Sequence, residues 1–132
     1  MTPEGFIARA SRHDPKATMD RLVAAVTARG AAVVARVDHA AAATTVGLAL
    51  APTEVLIFGN PKAGTPLMQA AQTIGIDLPL RALVWRDGGG ITRLGYNDPN
   101  WLARRHGAEA GHEAVLNAMA DFLAAVTEEA AT

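Results

Sequence analysis

The stretch ALVWRDGGGITRLGY, residues 82–96, decides the fold because it holds two strand-like segments joined by a short turn. Ala82–Arg86 and Ile91–Tyr96 are rich in branched and aromatic residues, and Asp87-Gly88-Gly89-Gly90 between them has the composition of a hairpin turn. Strands joined by so short a connection run antiparallel. The stretch therefore favours an antiparallel sheet over a parallel, doubly wound one.

Outward from this hairpin, apolar spacing and helix caps indicate the other elements. Three further segments are predicted strands: Phe6–Ala10, Ala32–Asp38 and Glu54–Phe58. Three helices are predicted to begin at cap-plus-proline pairs: Asp14-Pro15, Thr65-Pro66 (ending at Gly75) and Asp98-Pro99. A last amphipathic helix is predicted over about 113–128, and residues 39–47 stay open between helix and loop. The order predicts an α+β domain whose long helices pack on one face of the sheet.

Length and composition limit the possible classes of protein. The chain has 132 residues, which predicts a single domain over 1–132, and its 50% hydrophobic content excludes a disordered protein. Twelve basic against 13 acidic residues give a net charge of −1, so no nucleic-acid partner is predicted. No apolar run is long enough to span a membrane, and no signal peptide is visible at the N-terminus, so a cytoplasmic location is expected.

The residue types in the chain give little support for a metal site or a cofactor site. The chain has no cysteine, which excludes a disulfide, a thiol nucleophile and a zinc–thiolate site. Its four histidines (His13, His39, His106 and His112) lack the spacing of a metal site on one helix face. No cofactor fingerprint is present, so neither a metal nor a cofactor is predicted.

The predicted connectivity places the polar residues at two opposite edges of the sheet. If strands two to five form an antiparallel meander, one edge gathers the end of strand three (Asn60), the start of strand four (Arg81) and the end of strand five (Tyr96 and Asn97). Asp77 is assigned to the same edge, with residues 104–106 as further candidates there. The end of strand two (His39) and the turn 87–90 then lie at the other edge. A two-fold axis would be needed to bring His39 of one chain to the first edge of another.

The segment after strand three is the predicted ligand site. Its glycines leave the backbone free ahead of a helix N-terminus, where N–H groups and the helix dipole favour an anion, and a lysine adds charge. The predicted ligand-binding residues are Gly59, Asn60, Lys62, Gly64, Thr65, Tyr96 and Asn97, for a small polar or anionic molecule. The alternative is a plain turn with a capping Thr65 and a solvated Lys62.

Two alternative functions remain open. The first is an enzyme that uses Asp77, His39 or His106 as general acid or base, since a carboxylate between Ile76 and Leu78 is suited to that role. The structural alternative for Asp77 is to accept hydrogen bonds from loop backbone. The second function is a dimeric structural or interaction module, which the apolar stripe of the last helix and the strand valines would support.

Several short motifs follow the order and spacing of a known family. They are Asp38-His39-Ala40, Phe58-Gly59-Asn60-Pro61-Lys62-Ala63-Gly64-Thr65, Asp77-Leu78-Pro79-Leu80, Trp85, and Tyr96-Asn97-Asp98-Pro99 with Leu102 and Arg105-His106. Over about residues 5–107 the chain resembles the family catalogued as domain of unknown function 302, with Ile76 where the family usually has alanine. The resemblance implies a β-α-β(4)-α fold of the TATA-binding-protein type and a homodimer. It implies neither DNA binding nor an activity, because a fold alone does not carry function.

Overall fold

The computed structural model describes residues 2–132 and shows a five-stranded antiparallel sheet in the order β1-β5-β4-β3-β2. The strands are β1 (Phe6–Ala10), β2 (Ala32–Asp38), β3 (Thr53–Gly59), β4 (Leu80–Arg86) and β5 (Thr92–Asn97). The helices are α1 (Pro15–Ala28), α2 (His39–Thr45), α3 (Pro61–Ala70), α4 (Pro99–His106) and α5 (Glu113–Ala131), and a 3-10 turn spans Gln72–Ile76. The predicted α+β class and the antiparallel sheet are confirmed.

The core lies between one face of the sheet and the helices α1 and α5. On each helix the buried apolar side chains recur at intervals of three or four residues: Met19, Leu22 and Val26 on α1, and Leu116, Met119, Leu123 and Val126 on α5. Leu56, Phe58, Val84 and Leu94 meet them from the sheet. Burying one such side chain contributes about 1.5–3 kcal/mol, so this stripe holds the two helices on the sheet.

The start of α3 differs from the sequence prediction. The helix begins at Pro61 with Asn60 as its N-cap, not at Thr65-Pro66, and Pro66 lies inside it. Asn60 decides the start because its side-chain oxygen accepts from the Lys62 N–H at 2.9 Å, and its carbonyl accepts from the Ala63 and Gly64 N–H groups. The helix ends at Ala70, and the part predicted to continue to Gly75 forms the 3-10 turn instead.

The segment left open between helix and loop contains the short helix α2. Asp38 caps it, its side chain accepting from the Ala41 N–H at 2.9 Å, and Gly47 follows it with a φ of +74°. His39, predicted to be the end of a strand, is therefore the first residue of a helix. None of the α2 residues is fully buried, and Ala40 and Ala43 are half-buried.

The strand register confirms the two predicted edges. Phe58 pairs with Leu80, Ala82 with Tyr96, and Asn97 with Phe6, so the ends of β3 and β5 and the start of β4 share one edge. At the opposite edge, Asp38 pairs with Glu54 and Arg86 with Thr92. Asn60 and His39 thus lie at opposite ends of the strands within one chain.

The second face of the sheet, opposite the core, carries a row of partly exposed apolar side chains. Val37 pairs with Val55 and Val55 with Leu83, so these three residues share that face. Val37 is 38% exposed, and the other two are half-buried. We call this row, with Ile57, the open face.

Candidate functional site

A cavity of about 480 Å³ lies at the edge of the sheet that carries Asn60. Helices α3 and α5 form two of its walls, and the start of β2, the end of β3 and the start of β4 close it from the sheet side. Its apolar walls come from Phe58, Met68, Leu78, Leu80, Val115, Met119 and Phe122. The volume is in the range of sites that hold small organic molecules, and the walls favour an apolar body.

Three polar residues of the described chain interrupt these apolar walls: Arg29, Asn60 and Thr65. Arg29 follows α1 and donates to the Glu129 carboxylate and to the Ala25 carbonyl. Because the Asn60 oxygen is occupied as the cap of α3, its amide nitrogen is the part that can turn towards a ligand. A few polar groups on an apolar lining are typical of sites that orient an amphipathic ligand.

The structure separates the seven predicted ligand-binding residues into two groups. Gly59, Asn60, Gly64 and Thr65 line the cavity, whereas Lys62 is exposed on α3 outside the lining. Tyr96 and Asn97 lie on β5, two strands away from β3, and also outside it. Tyr96 is buried beside Ala82, and this burial raises the pKa of its phenol, with Asp98 adding to the effect and Arg9 opposing it.

The backbone ahead of α3 does not form the free loop that the anion-site hypothesis needs. The N–H groups of Lys62, Ala63 and Gly64 are directed to Asn60, to its side chain for the first and to its carbonyl for the other two. This follows from the helix starting at Pro61, which turns the expected loop into the first turn of α3. The wall chemistry, rather than these N–H groups, therefore determines what the cavity can accept.

A second polar cluster joins the 3-10 turn to the end of α4. The His106 Nε2 atom lies 2.6 Å from the Asp77 carboxylate, and its Nδ1 atom lies 2.9 Å from the Thr73 hydroxyl. Arg105 donates to the same Asp77 oxygen at 2.8 Å. Thr73 and Asp77 stand at the two ends of the 3-10 turn, and His106 is the last residue of α4, which Gly107 terminates at a φ of +70°.

The hydrogen bonds of this cluster select one tautomer of the neutral imidazole. An ionised carboxylate only accepts, so His106 donates from Nε2 to Asp77. In the neutral ring Nδ1 then carries the lone pair and accepts from the Thr73 hydroxyl. The His106 side chain is only 8% exposed, while Thr73 is exposed at the surface. The arrangement is a hydroxyl, an imidazole and a carboxylate in sequence, as in an activated nucleophile.

The three predicted acid–base residues are thus not all brought together. Asp77 and His106 form a hydrogen-bonded pair, whereas His39 is exposed on α2 at the opposite edge. Throughout residues 2–132, no three His, Cys, Asp or Glu side chains are grouped so as to hold a metal ion.

Sequence reasoning missed Thr73, Arg29 and most of the cavity wall. Thr73 meets His106 across 33 positions, and Phe122 reaches the cavity from the far end of the chain. Their spacing carries no local signal. The one available clue was that Asp77 and His106 were both assigned to the same edge of the sheet.

The geometry defines an α+β domain with an apolar cavity at one edge of its sheet and a threonine–histidine–aspartate cluster beside α4. The family described as "Domain of unknown function DUF302" matches residues 7–126. The chain belongs to this family.

Relatives by sequence and by structure extend this result. The chain is 46% identical over 127 residues to "Fluoride-specific ion channel FluC 1" of Brucella suis and, at the same identity, to the protein of that name from Brucella abortus. These matches cover 96% of the chain, which spans only about half the length of each relative (50% and 47%). No helix within residues 2–132 has the length and apolar character needed to cross a bilayer.

A crystal structure of an uncharacterised conserved DUF302 protein from Bacillus stearothermophilus has the same fold. Its TM-score against this chain is 0.85 at 18% identity, over 97% of this chain and 99% of the other. At this identity the likeness concerns the fold alone.

Proposed function

We propose that the domain binds a small amphipathic molecule in the cavity between α3, α5 and the sheet edge. The observation that carries this proposal is an apolar cavity of about 480 Å³ with Arg29, Asn60 and Thr65 as its polar residues. The predicted position at the Asn60 edge is kept. The predicted ligand changes from a small polar or anionic molecule to one with an apolar body and a single polar end.

The polar end is a carboxylate or a similar anion. Among the described residues that line the cavity, Arg29 is the one that carries a charge. A guanidinium pairs with a carboxylate in bidentate geometry. Its partner in the structure is the exposed Glu129, which a ligand carboxylate can replace. A medium-chain fatty acid combines this end with an apolar tail suited to Met119 and Phe122.

The test is thermal unfolding and titration calorimetry with decanoate, with butyrate as the short-chain comparison. Decanoate is expected to raise the Tm and butyrate is not, because binding to the native state alone stabilises it. Ala118→Trp places a large ring at the exposed mouth of the cavity and is expected to abolish the shift. Ala114→Trp, on the same helix but outside the lining, is the matched control and keeps the shift.

The polar end is tested separately. Arg29→Gln is expected to weaken decanoate binding about tenfold, whereas Arg21→Gln, which removes a neighbouring arginine outside the lining, leaves it unchanged. Decanoate that binds equally well to wild type and Ala118→Trp would contradict the cavity as the site.

The relatives by sequence indicate the kind of protein in which such a ligand-binding site would work. The part of the Brucella proteins that matches this chain is about half of each, and those proteins are named as fluoride channels. We propose that this domain works next to a channel and adjusts it in response to the ligand. In the Brucella suis protein, deleting the matched region should leave fluoride flux into vesicles but remove its response to decanoate; a flux that never responds contradicts this role.

The homodimer implied by the family resemblance is a third proposal, and the open face supports it. Val37, Val55 and Leu83 form an apolar row across three neighbouring strands, with Val37 38% exposed and the other two half-buried. The apolar stripe of α5 plays no part, since it is buried against α1 and the sheet. Sedimentation is expected to show a dimer that Val37→Lys dissociates and Val46→Lys, exposed away from the strands, does not; a wild-type monomer overturns the proposal.

A further inference from the structure

The cluster of Thr73, His106 and Asp77 carries chemistry that the cavity does not explain. The three side chains form a hydrogen-bonded row with distances of 2.9 Å and 2.6 Å, and Thr73 is its solvent-facing member. We infer that Thr73 is an activated nucleophile, with His106 as its general base, and that the cluster hydrolyses small activated acyl esters. This activity is independent of ligand binding in the cavity.

The hydrogen bonds and burial of the three side chains match the roles proposed for them. Because Asp77 accepts the Nε2–H of His106, the lone pair of Nδ1 in the neutral ring faces the Thr73 oxygen at 2.9 Å, within reach of the hydroxyl proton. His106 is almost fully buried, which fixes its ring, whereas the hydroxyl is open to a substrate. Asp77 is a positioning residue, since it touches the imidazole and not the reacting atoms.

The proposed reaction has two balanced steps. The Thr73 oxygen attacks the ester carbonyl carbon while Nδ1 of His106 takes its proton, and the bond to the leaving oxygen breaks as that oxygen leaves with the proton. Water then attacks the acyl-threonine, with Nδ1 again taking the proton and returning it to the Thr73 oxygen. The products are a free acid and an alcohol or phenol, and no other reactant is required.

The surroundings indicate the substrate class. Thr73 sits on the surface of the 3-10 turn, so its substrate is an ester with a small acyl group rather than a long chain. Arg105 donates to the Asp77 carboxylate at 2.8 Å, on the side of the imidazole away from Thr73, and so helps to hold that carboxylate in place. The methyl group of threonine further limits the acyl group to a small, unbranched one.

The test uses p-nitrophenyl acetate and the full chain. Nitrophenolate release is followed by absorbance, and mass spectrometry of peptides locates the acetyl group. Thr73→Val keeps the shape of the side chain and the His106–Asp77 pair but removes the hydroxyl, so a loss of at least about tenfold is expected. Thr73→Ser is expected to keep the activity, and Thr45→Val, an exposed threonine at the other edge, is the matched control.

Positioning by Asp77 is tested by rescue. Asp77→Asn is expected to slow nitrophenolate release, and Asp77→Glu is expected to restore part of the wild-type rate. If Asp77 had a purely structural role, both variants would release nitrophenolate at the wild-type rate when compared at equal native content by circular dichroism. The inference is overturned if Thr73→Val releases nitrophenolate as fast as wild type, or if acetylated peptides lack Thr73. Decanoate binding to the cavity is measured separately, so either result stands without the other.

Discussion

The imidazole of His106 and the carboxylate of Asp77 meet at 2.6 Å across 29 positions of the chain, and they join the end of α4 to the turn before β4. Both side chains are largely buried, at 8% and 18% exposure. A hydrogen bond that involves a charged group in such a setting contributes more to stability than a surface ion pair. The pair therefore has a structural consequence that can be measured whether or not the cluster is catalytic.

A double-mutant cycle measures this coupling. Asp77→Ala and His106→Ala are each expected to lower the free energy of unfolding in urea by about 1–2 kcal/mol. The double variant is expected to lose less than the sum of the two, with a coupling of at least about 0.5 kcal/mol, because either single change already breaks the contact. Strictly additive losses would show that the two side chains do not stabilise each other.

The cap of α3 gives a second prediction, because the helix start depends on one side chain. Asn60→Ala removes the acceptor of the Lys62 N–H and is expected to cost about 0.5–2 kcal/mol of unfolding free energy. Asn60→Asp keeps an acceptor oxygen and should retain most of the stability. Asn117→Ala, at an exposed position within α5, is the control and should be neutral or slightly stabilising. Equal stability of Asn60→Ala and wild type would place the helix start elsewhere.

The N-cap of α3 is a part of the fold that the sequence alone could not predict. Asn60-Pro61 and Thr65-Pro66 both have the form of a helix start, and local spacing does not rank them. In the structure the helix starts at the first pair, where Asn60 accepts hydrogen bonds from three N–H groups. Pro66 then lies inside the helix. The hairpin around Asp87 and the α5 stripe were predictable because their signals are contained in neighbouring residues.

The site was less predictable because it depends on distances between elements. The edge that carries Asn60 followed from strand connectivity, and Gly59, Asn60, Gly64 and Thr65 were placed there correctly. The apolar nature of the cavity depends on how far α3 stands from α5, which no local pattern encodes. For the same reason Thr73 could not be matched with His106.

A third prediction concerns the acid side of the stability profile. The Asp87 carboxylate accepts from Arg93, Ile91 and Gly89 in the β4–β5 turn, and the Arg93 hydrogen bond, followed by the Ile91 backbone bond, lowers its pKa below the usual 3.8. A carboxylate whose pKa is lower in the folded than in the unfolded state stabilises the fold above its unfolded pKa. That stabilisation is lost as the pH falls through the folded pKa.

The comparison is made with Asp87→Asn, by urea unfolding at a series of pH values. Asp87→Asn is expected to be less stable than wild type at pH 7, and the difference should shrink as the pH falls below about 4. Asp121→Asn, at an exposed position on α5, serves as the control and should follow the wild-type profile. A stability difference that stays constant with pH would show that Asp87 acts through packing and not through its charge.

The fourth prediction concerns the close approach of β1 to β5 at Gly95. A Cβ atom added there would lie 2.5 Å from Phe6 Cζ and 2.9 Å from the backbone oxygen of Ile7. The Phe6 ring can turn away, but the Ile7 carbonyl belongs to the strand that pairs with β5, so Gly95→Ala must displace β1. We expect a loss of about 1–3 kcal/mol in unfolding free energy and faster amide exchange across β1.

Two further variants separate backbone crowding from ring crowding at this position. Combining Gly95→Ala with Phe6→Ala removes the ring but not the Ile7 oxygen, so the fast exchange of β1 should remain. Gly88→Ala, where an added Cβ meets no atom of the described residues within 4 Å, is the control and should leave exchange unchanged. If Phe6→Ala restores normal exchange in the Gly95→Ala background, the glycine is required by the ring alone, and the strands tolerate a side chain at this point of contact.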